Sequence, residues 1–331
     1  MMMKKMKKLL ILLLVPLIVA CDQLFSLQGE LKPIRAPKIG TCECPYDQRR
    51  DGRECGATSA YDRGGGSESA PHRFRERPIC YIGQDKQVIS NNKHLLMGNP
   101  SNATANPNNL NNYLMEKPEY VLSYNANMGT ANWVSWQLNQ SWLGSRDRQN
   151  NFRPDNSLPE KFYQVTEKDY TNTGYDRGHI IPSGDRTRTR EENSATFLMV
   201  NMLPQVPDLN REVWNELESE CRRLVDQGKE LYIVAGPHGK IKTIANGKVT
   251  VPKYNWKVVL ILDRPGGNAK SVTAQTKAIA VWMPNDDSVE RTSWKNYIVT
   301  VDDVEAKTGY DFFSNVPPTV QKVIESQRYI P

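Results

Sequence analysis

The stretch Gly174-Tyr175-Asp176-Arg177-Gly178-His179-Ile180-Ile181-Pro182 brings a base, a cation and a backbone hinge together within nine residues. The chain has four histidines (His72, His94, His179 and His238), and of these only His179 sits beside an arginine and a glycine. An imidazole titrates near neutrality and takes a proton from water. An arginine two residues away can hold a phosphate oxygen through two parallel N–H groups. The intervening glycine lets the backbone approach closely. Taken alone, the string describes a phosphodiester site, and a hydrogen-bonded structural histidine is the commoner use of a single His. Its surroundings decide between the two.

Downstream comes Thr196-Phe197-Leu198-Met199-Val200-Asn201-Met202-Leu203-Pro204-Gln205, then Asp208-Leu209-Asn210, then a helical pattern carrying Trp214 and Glu218. Together with Asp176-Arg177-Gly178-His179, this order resembles the DNA/RNA non-specific endonuclease family, the ββα-metal nucleases that include mitochondrial endonuclease G. The resemblance extends from about residue 120 to about residue 317. It leaves out the cysteine-rich and Asn-rich segments upstream.

The resemblance implies a role for each matching residue. His179 corresponds to the general base and Arg177 to the phosphate-contacting arginine. Asn210 corresponds to the one side chain that ligates the metal directly, and Glu218 to the acid that orients water at the metal. Asn201 corresponds to a supporting polar residue of the site, and Asp176 to a group behind the metal ligand. A further arginine is expected upstream. Arg146, Arg148 and Arg153 compete for that role, and Arg148 is preferred. An amide oxygen completed by waters is hard-oxygen coordination, which suits Mg²⁺, with Mn²⁺ or Ca²⁺ as competitors. Asn210 and Glu218 are eight residues apart. On a regular helix that is about 80° in azimuth and about 12 Å in rise, so one ion cannot be ligated by both unless the first turn distorts. No element for reading bases is visible. DNA and RNA are therefore expected to bind through their phosphate backbones, without sequence specificity. Arg186, Arg188 and Arg190 follow the motif and could serve that binding or form a solvated face beside Glu191 and Glu192. The reaction implied is hydrolysis of phosphodiesters to 5′-phosphate products. Two other readings stay open here: a hydrolase of another phosphodiester, and a surface binding module that has lost catalysis.

The elements around the motif alternate in kind. Tyr120–Tyr124 and Trp133–Leu138 read as a hairpin around residues 125–130. Residues 210–227 place Val213, Trp214, Leu217, Cys221, Leu224 and Val225 at helical spacing, ending at Gly228. Leu231–Ala235, Val258–Leu262 and Ala278–Met283 read as strands, and residues 302–307 and 319–325 as short helices. The fold class is mixed α/β (α+β). With the resemblance it becomes a ββα-metal nuclease core with a central, mostly antiparallel sheet and one long metal-site helix. The expected organisation is a signal peptide at 1–20, a tether at 21–40, a cysteine-clasped segment at 41–82 and a nuclease domain at 83–331, whose Asn-rich loop spans 91–112.

Composition narrows the classes further. The 331 residues are 24% charged and 38% hydrophobic, as in a folded globular chain. No apolar run reaches the roughly 18 residues of a spanning helix, which excludes a multi-pass membrane protein. The net charge of +6 includes Lys4, Lys5, Lys7 and Lys8. Without those four lysines, 39 basic side chains face 37 acidic ones, so global charge does not argue for a polyanionic partner. The four lysines precede the apolar run Leu9–Val19, and Ile18-Val19-Ala20-Cys21 then resembles a bacterial lipoprotein signal. That implies an exported protein held at a membrane by lipid on Cys21, on the periplasmic side or at the cell surface. In such a compartment Cys42, Cys44, Cys55 and Cys80 read as two disulfides, with a structural zinc site as the alternative. Cys221, inside the helical pattern, reads as a buried thiol.

The anchor is testable. Cys21→Ser should move the protein from the membrane fraction to the soluble fraction, or leave it misprocessed. Retention on membranes after a high-salt wash would refute lipid attachment at Cys21.

Overall fold

In the computed structural model, the described residues are 92–331 and a few positions between 37 and 55. The chain divides into two compact units, Met1–Val88 and Ile89–Pro331. In the first, Gln48 bridges to Ile39 and to Glu54, and Cys55 is buried and disulfide-bonded. Cys21, Cys42, Cys44 and Cys80 lie outside the described residues.

The second unit is built on a seven-stranded sheet. In chain order its strands are β1 (Tyr113–Glu116), β2 (Val121–Asn125) and β3 (Thr130–Leu138), then β6 (Glu230–His238), β9 (Tyr254–Leu262), β10 (Lys277–Pro284) and β11 (Ile298–Val299). They lie side by side in that same order, and every pairing is antiparallel. The hairpin expected around 125–130 is the β2–β3 connection. There Gly129 takes a positive φ of 65°, and the Asn125 side chain accepts from the N–H groups of Asn127 and Met128. Two short ribbons lie outside the main sheet: β4 (Asp176–His179) pairs with β5 (Met202–Gln205), and β7 (Lys242–Ile244) with β8 (Val249–Val251).

The period of two along each strand separates two cores. Leu231, Ile233 and Ala235 of β6, Val259 and Ile261 of β9, and Ile279 and Val281 of β10 face one way. They pack against Trp214, Leu217, Cys221 and Val225 of α2 (Trp214–Asp226), the long helix read from the sequence. Tyr232, Val234, Val258, Leu260 and Ala280 face the other way. They are covered by Val301 and Val304 of α3 (Val301–Thr308) and Ile324 of α4 (Pro318–Ile324). A sheet covered on both faces explains why its central strands are nearly continuously apolar. Another short helix, α1 (Arg190–Ala195), lies in the connection between β4 and β5. Among the described residues no helix is long and apolar enough to cross a membrane.

The Asn-rich loop is stitched together by side chains. Asn99 donates to the carbonyl of Ala103 and accepts from its N–H, while Asn112 accepts from the hydroxyls of Ser101 and Ser123. Cys221 is a free, buried thiol, as its place in the helical pattern implied.

Leu217 is fully buried between α2 and the sheet. Leu217→Ala should lower unfolding stability by about 2–5 kcal/mol, the transfer and cavity cost of a truncated core leucine. Denaturant unfolding measures it. A loss below about 0.5 kcal/mol, the scale of a surface substitution, would mean that α2 is not docked this way.

Candidate active site

The motif forms β4, and its ribbon with β5 pairs Asp176 with Gln205, Gly178 with Leu203 and His179 with Met202. Gly178 is required by close approach, because a Cβ there would lie 1.9 Å from the Gln205 side-chain oxygen. Asn201 secures the exit from β4. Its amide donates to the carbonyls of Ile181 and Thr196 and accepts from the Ile181 N–H. With both ends of its amide committed to backbone, Asn201 positions the strand that carries His179. The indole N–H of Trp214, the first residue of α2, donates to the His179 carbonyl at 3.2 Å and ties helix to ribbon.

The start of the helix is not regular. Leu209–Val213 is a π-helical turn, and the Trp214 N–H reaches the Leu209 carbonyl five residues back. The helix that carries both Asn210 and Glu218 thus opens on an irregular turn. Asn210 lies inside the turn, and its amide nitrogen donates to Asp176 at 2.9 Å. Asp176 also receives both arms of Arg211 at 2.8 Å. Burial alone would raise the Asp176 carboxyl, but these bonds from Arg211 and Asn210 hold it below its ordinary value. With its nitrogen bound, Asn210 presents its amide oxygen as the free donor, the hard ligand that a divalent cation takes.

Among the described residues two histidines are buried, and they differ in their partners. His94 is satisfied at both ring nitrogens: Nδ1 accepts from the Gln137 N–H, and Nε2 faces the Pro118 carbonyl at 2.9 Å. It is structural. His179 is 7% exposed, and its Nε2 has no hydrogen-bond partner. Phe197 and Phe152 flank its ring edge-on at 4.9 and 5.6 Å. Burial, then the charges of Arg148 and Arg177, push this imidazole down to about 3. At neutral pH the ring is uncharged, the form that accepts a proton.

Arg177 lies over the Phe152 ring at 4.2 Å, with a long 3.5 Å contact to Glu167, and stays partly exposed. The three upstream arginines separate clearly. Arg153 donates to the carbonyls of Asn151 and Ser194, and the Arg146 N–H pairs with Thr187. Arg148 donates to Ser183 Oγ at 2.7 Å, and its charge acts on both His179 and Glu218. The group Arg186, Arg188 and Arg190 does not form one surface. Arg186 is fully buried and donates to the carbonyls of Glu119, Gln137 and Asp185, so it serves neither as a phosphate contact nor as part of a solvated face. Arg188 is paired with Glu192, and Arg190 donates to Gln149.

Glu218 is 8% exposed. Burial pushes its carboxyl up to about 7, against the pull of Lys257, Arg222 and Arg148 and with the push of Asp185. Lys257 is the component that sequence reading missed. It is 1% exposed on β9, its Nζ 3.9 Å from Glu218 and 4.1 Å from the centre of the Trp214 ring. Its phase was the available signal, because it shares the inward side of β9 with Val259 and Ile261. Asp185 extends the buried network, accepting from Trp136 at 2.9 Å and from Arg222 at 3.1 Å.

Two antiparallel strands and one helix, with a buried uncharged histidine on a strand and an asparagine amide at the helix start, make the arrangement of a ββα-metal nuclease fold. The chain belongs to the DNA/RNA non-specific endonuclease family, whose model matches residues 97–319. It is a nuclease, and so a hydrolase, of a family that is metal-dependent. A nuclease of Nostoc sp. is 57% identical over 234 residues, covering 71% of this chain and 85% of that protein. Mitochondrial endonuclease G of Homo sapiens is 31% identical over 217 residues, covering 61% and 70%. Among solved structures, the complex of EndoG with EndoGI contains a chain that superposes with a TM-score of 0.56 at 26% identity, covering 65% of this chain and 91% of that one. The family match begins at residue 97, so it takes in most of the Asn-rich loop that the motif-based limits had left out.

A titration checks the electrostatics. The His179 and His94 ring resonances should not titrate between pH 8 and 5 in cation-free protein, since both rings are pushed down to about 3. The unfolded chain then binds more protons between about 6.5 and 3. The stability these rings contribute is therefore present above pH 6.5 and lost as pH falls towards 3. Glu218 acts in the opposite sense, its contribution being lost as pH rises through about 7. For that reason the ring resonances, and not global stability, are the clean readout. A midpoint near 6.5 for His179 would contradict its burial.

Proposed function

We propose that this chain is a Mg²⁺-dependent endonuclease that hydrolyses DNA and RNA without reading sequence, leaves 5′-phosphate ends, and is held outside the cytoplasm by lipid on Cys21. The observation that carries the catalytic reading is the buried, uncharged His179, whose Nε2 has no partner, beside two arginines. The donor set fits a hard cation: one amide oxygen at Asn210, oriented by Asp176, with the buried Glu218 further along the same helix. Held by Asn210 and completed by waters, Mg²⁺ would supply positive charge to the phosphate as negative charge builds on it, and Mn²⁺ or Ca²⁺ would compete for the same oxygens.

The chain's own groups supply the rest. His179 Nε2 takes a proton from the water that attacks phosphorus in line, and the departing 3′-oxygen is protonated by water. Arg177 holds a phosphate oxygen, with its guanidinium plane fixed against Phe152. Arg148, tethered to Ser183 and facing both His179 and Glu218, adds positive charge where the transition state is most negative. Glu218 accepts hydrogen bonds from water at the site, and Lys257 beneath it favours the ionised carboxylate that can do so. All of these contacts are to phosphate and water, which supports recognition without base selectivity. The lipid anchor is supported by the leader and its Ala20-Cys21 junction, and the cysteine clasp of 41–82 by the buried, disulfide-bonded Cys55.

Two substitutions separate the roles. His179→Ala should leave nucleic-acid binding in place and reduce turnover by a factor on the order of 10²–10⁴. Asn210→Ala should also reduce turnover, but raising the concentration of Mg²⁺ or Mn²⁺ should recover part of it, which the His179 variant should not show. Cutting by His179→Ala at the wild-type rate would remove His179 from the role of base. Identical metal responses in the two variants would remove Asn210 as the ligand.

A further inference from the structure

A second group of carboxylates lies on the other face of the sheet from α2. Asp302 and Glu305 are on α3, and Glu325 caps the C-terminus of α4. One carboxylate oxygen from each lies within 4.8 Å of the other two. The main chain holds the group together, because the Asp302 N–H donates to the Glu325 carbonyl at 3.1 Å. Glu325 is 6% exposed, and its Oε1 is buried with no hydrogen-bond partner. A buried acceptor of this kind is costly unless something pairs with it.

No side chain supplies that pairing. Among the described residues none of the three carboxylates takes part in an ion pair. The charges that act on Glu325 are those of Glu305, Asp311 and Asp302, all acidic, and with burial they push it up to about 8. Glu305 is pushed up to about 7 by burial and by Asp311 and Asp302, although the Phe312 N–H donates to one of its oxygens. The nearby cations face elsewhere. Lys307 donates to the Asp303 carbonyl and lies over the Trp282 ring, and Lys307 and Arg328 act on Asp303, which is occupied capping α3 at Thr300.

We propose that Asp302, Glu305 and Glu325 form a divalent-cation site of the calcium type that clamps α3 to α4. The cation would be the partner of Glu325 Oε1 and would offset the mutual repulsion of the three carboxylates. Ca²⁺ takes carboxylate oxygens at about 2.4 Å in flexible geometry, whereas Mg²⁺ demands a near-ideal octahedron at about 2.1 Å. Three carboxylate oxygens within 4.8 Å of one another, supplied from α3 and the end of α4, suit the more tolerant ion. The site shares no residue with the one at Asn210 and does not depend on the nuclease reading.

Calorimetric titration of CaCl₂ into the cation-stripped full chain tests it, in an Asn210→Ala background that disables the first site. One Ca²⁺ should bind per chain, and the melting temperature should rise with Ca²⁺ concentration. Adding Asp302→Asn and Glu325→Gln should abolish both responses. Asp302→Asn alone, at an exposed position that leaves the core untouched, should weaken binding and shrink the thermal shift. Absence of Ca²⁺ binding in the Asn210→Ala chain would overturn the proposal. So would binding and a thermal shift that survive the Asp302→Asn, Glu325→Gln double substitution.

Discussion

The Asp176 carboxylate takes the Asn210 amide nitrogen and both arms of Arg211, and so joins the first residue of β4 to the π-helical turn that opens α2. Much of the site's geometry follows from that junction. It fixes the orientation of the Asn210 amide by holding its nitrogen. It also ties ribbon to helix start, so that His179 on β4 and Asn210 on the helix are not free to drift apart. The bond from the Trp214 indole to the His179 carbonyl is a second tie across the same seam. The Asn210–Asp176 bond is part-buried and the Arg211–Asp176 pair exposed, so the rigidity of the seam comes from these bonds acting together with the buried tie from Trp214.

Beneath the junction the large antiparallel sheet serves as a floor. α2 lies on it through Trp214, Leu217, Cys221 and Val225, and each fully buried large side chain contributes roughly 1.5–3 kcal/mol by leaving water. The same floor carries Lys257 into the core, where two tryptophans accept its charge and Glu218 lies within reach. The site is thus layered. Partly exposed Arg177 lies outermost, uncharged His179 sits in an aromatic cleft, and a network of Glu218, Lys257, Asp185 and Arg222 sets the potential underneath. Such layering lets a carboxylate, an imidazole and several guanidinium groups share a small volume without neutralising one another.

Much of this was legible in the sequence, for definite reasons. α2 announced itself through a period of 3.6, because it buries one face and exposes the other, and the β2–β3 hairpin through apolar residues clustered on either side of a turn, its strands being buried on both faces. The Asp176–His179 string and Asn210 could be placed because their order along the chain resembles that of the endonuclease family. Other features could not be read. The π turn is a one-residue shift in backbone hydrogen bonding, and no side-chain pattern encodes it. Arg186, Arg188 and Arg190 have the alternation of a charged surface, yet Arg186 points inward to three carbonyls, a choice set by loops from distant parts of the chain. Lys257 gave no sign of its role because its partners, Trp136, Trp214 and Glu218, come from two other elements. Pairings between elements are what periodicity does not contain.

The central claim is that these groups form a cation-dependent phosphodiesterase indifferent to sequence and sugar. It is tested most directly by giving the cation-stripped wild-type chain supercoiled plasmid and ribosomal RNA side by side and then restoring Mg²⁺. The account predicts nicking of the plasmid and degradation of the RNA on addition of the ion, every new end carrying a 5′-phosphate. Nucleic acid that is bound in Mg²⁺ or Mn²⁺ but never cut would contradict it.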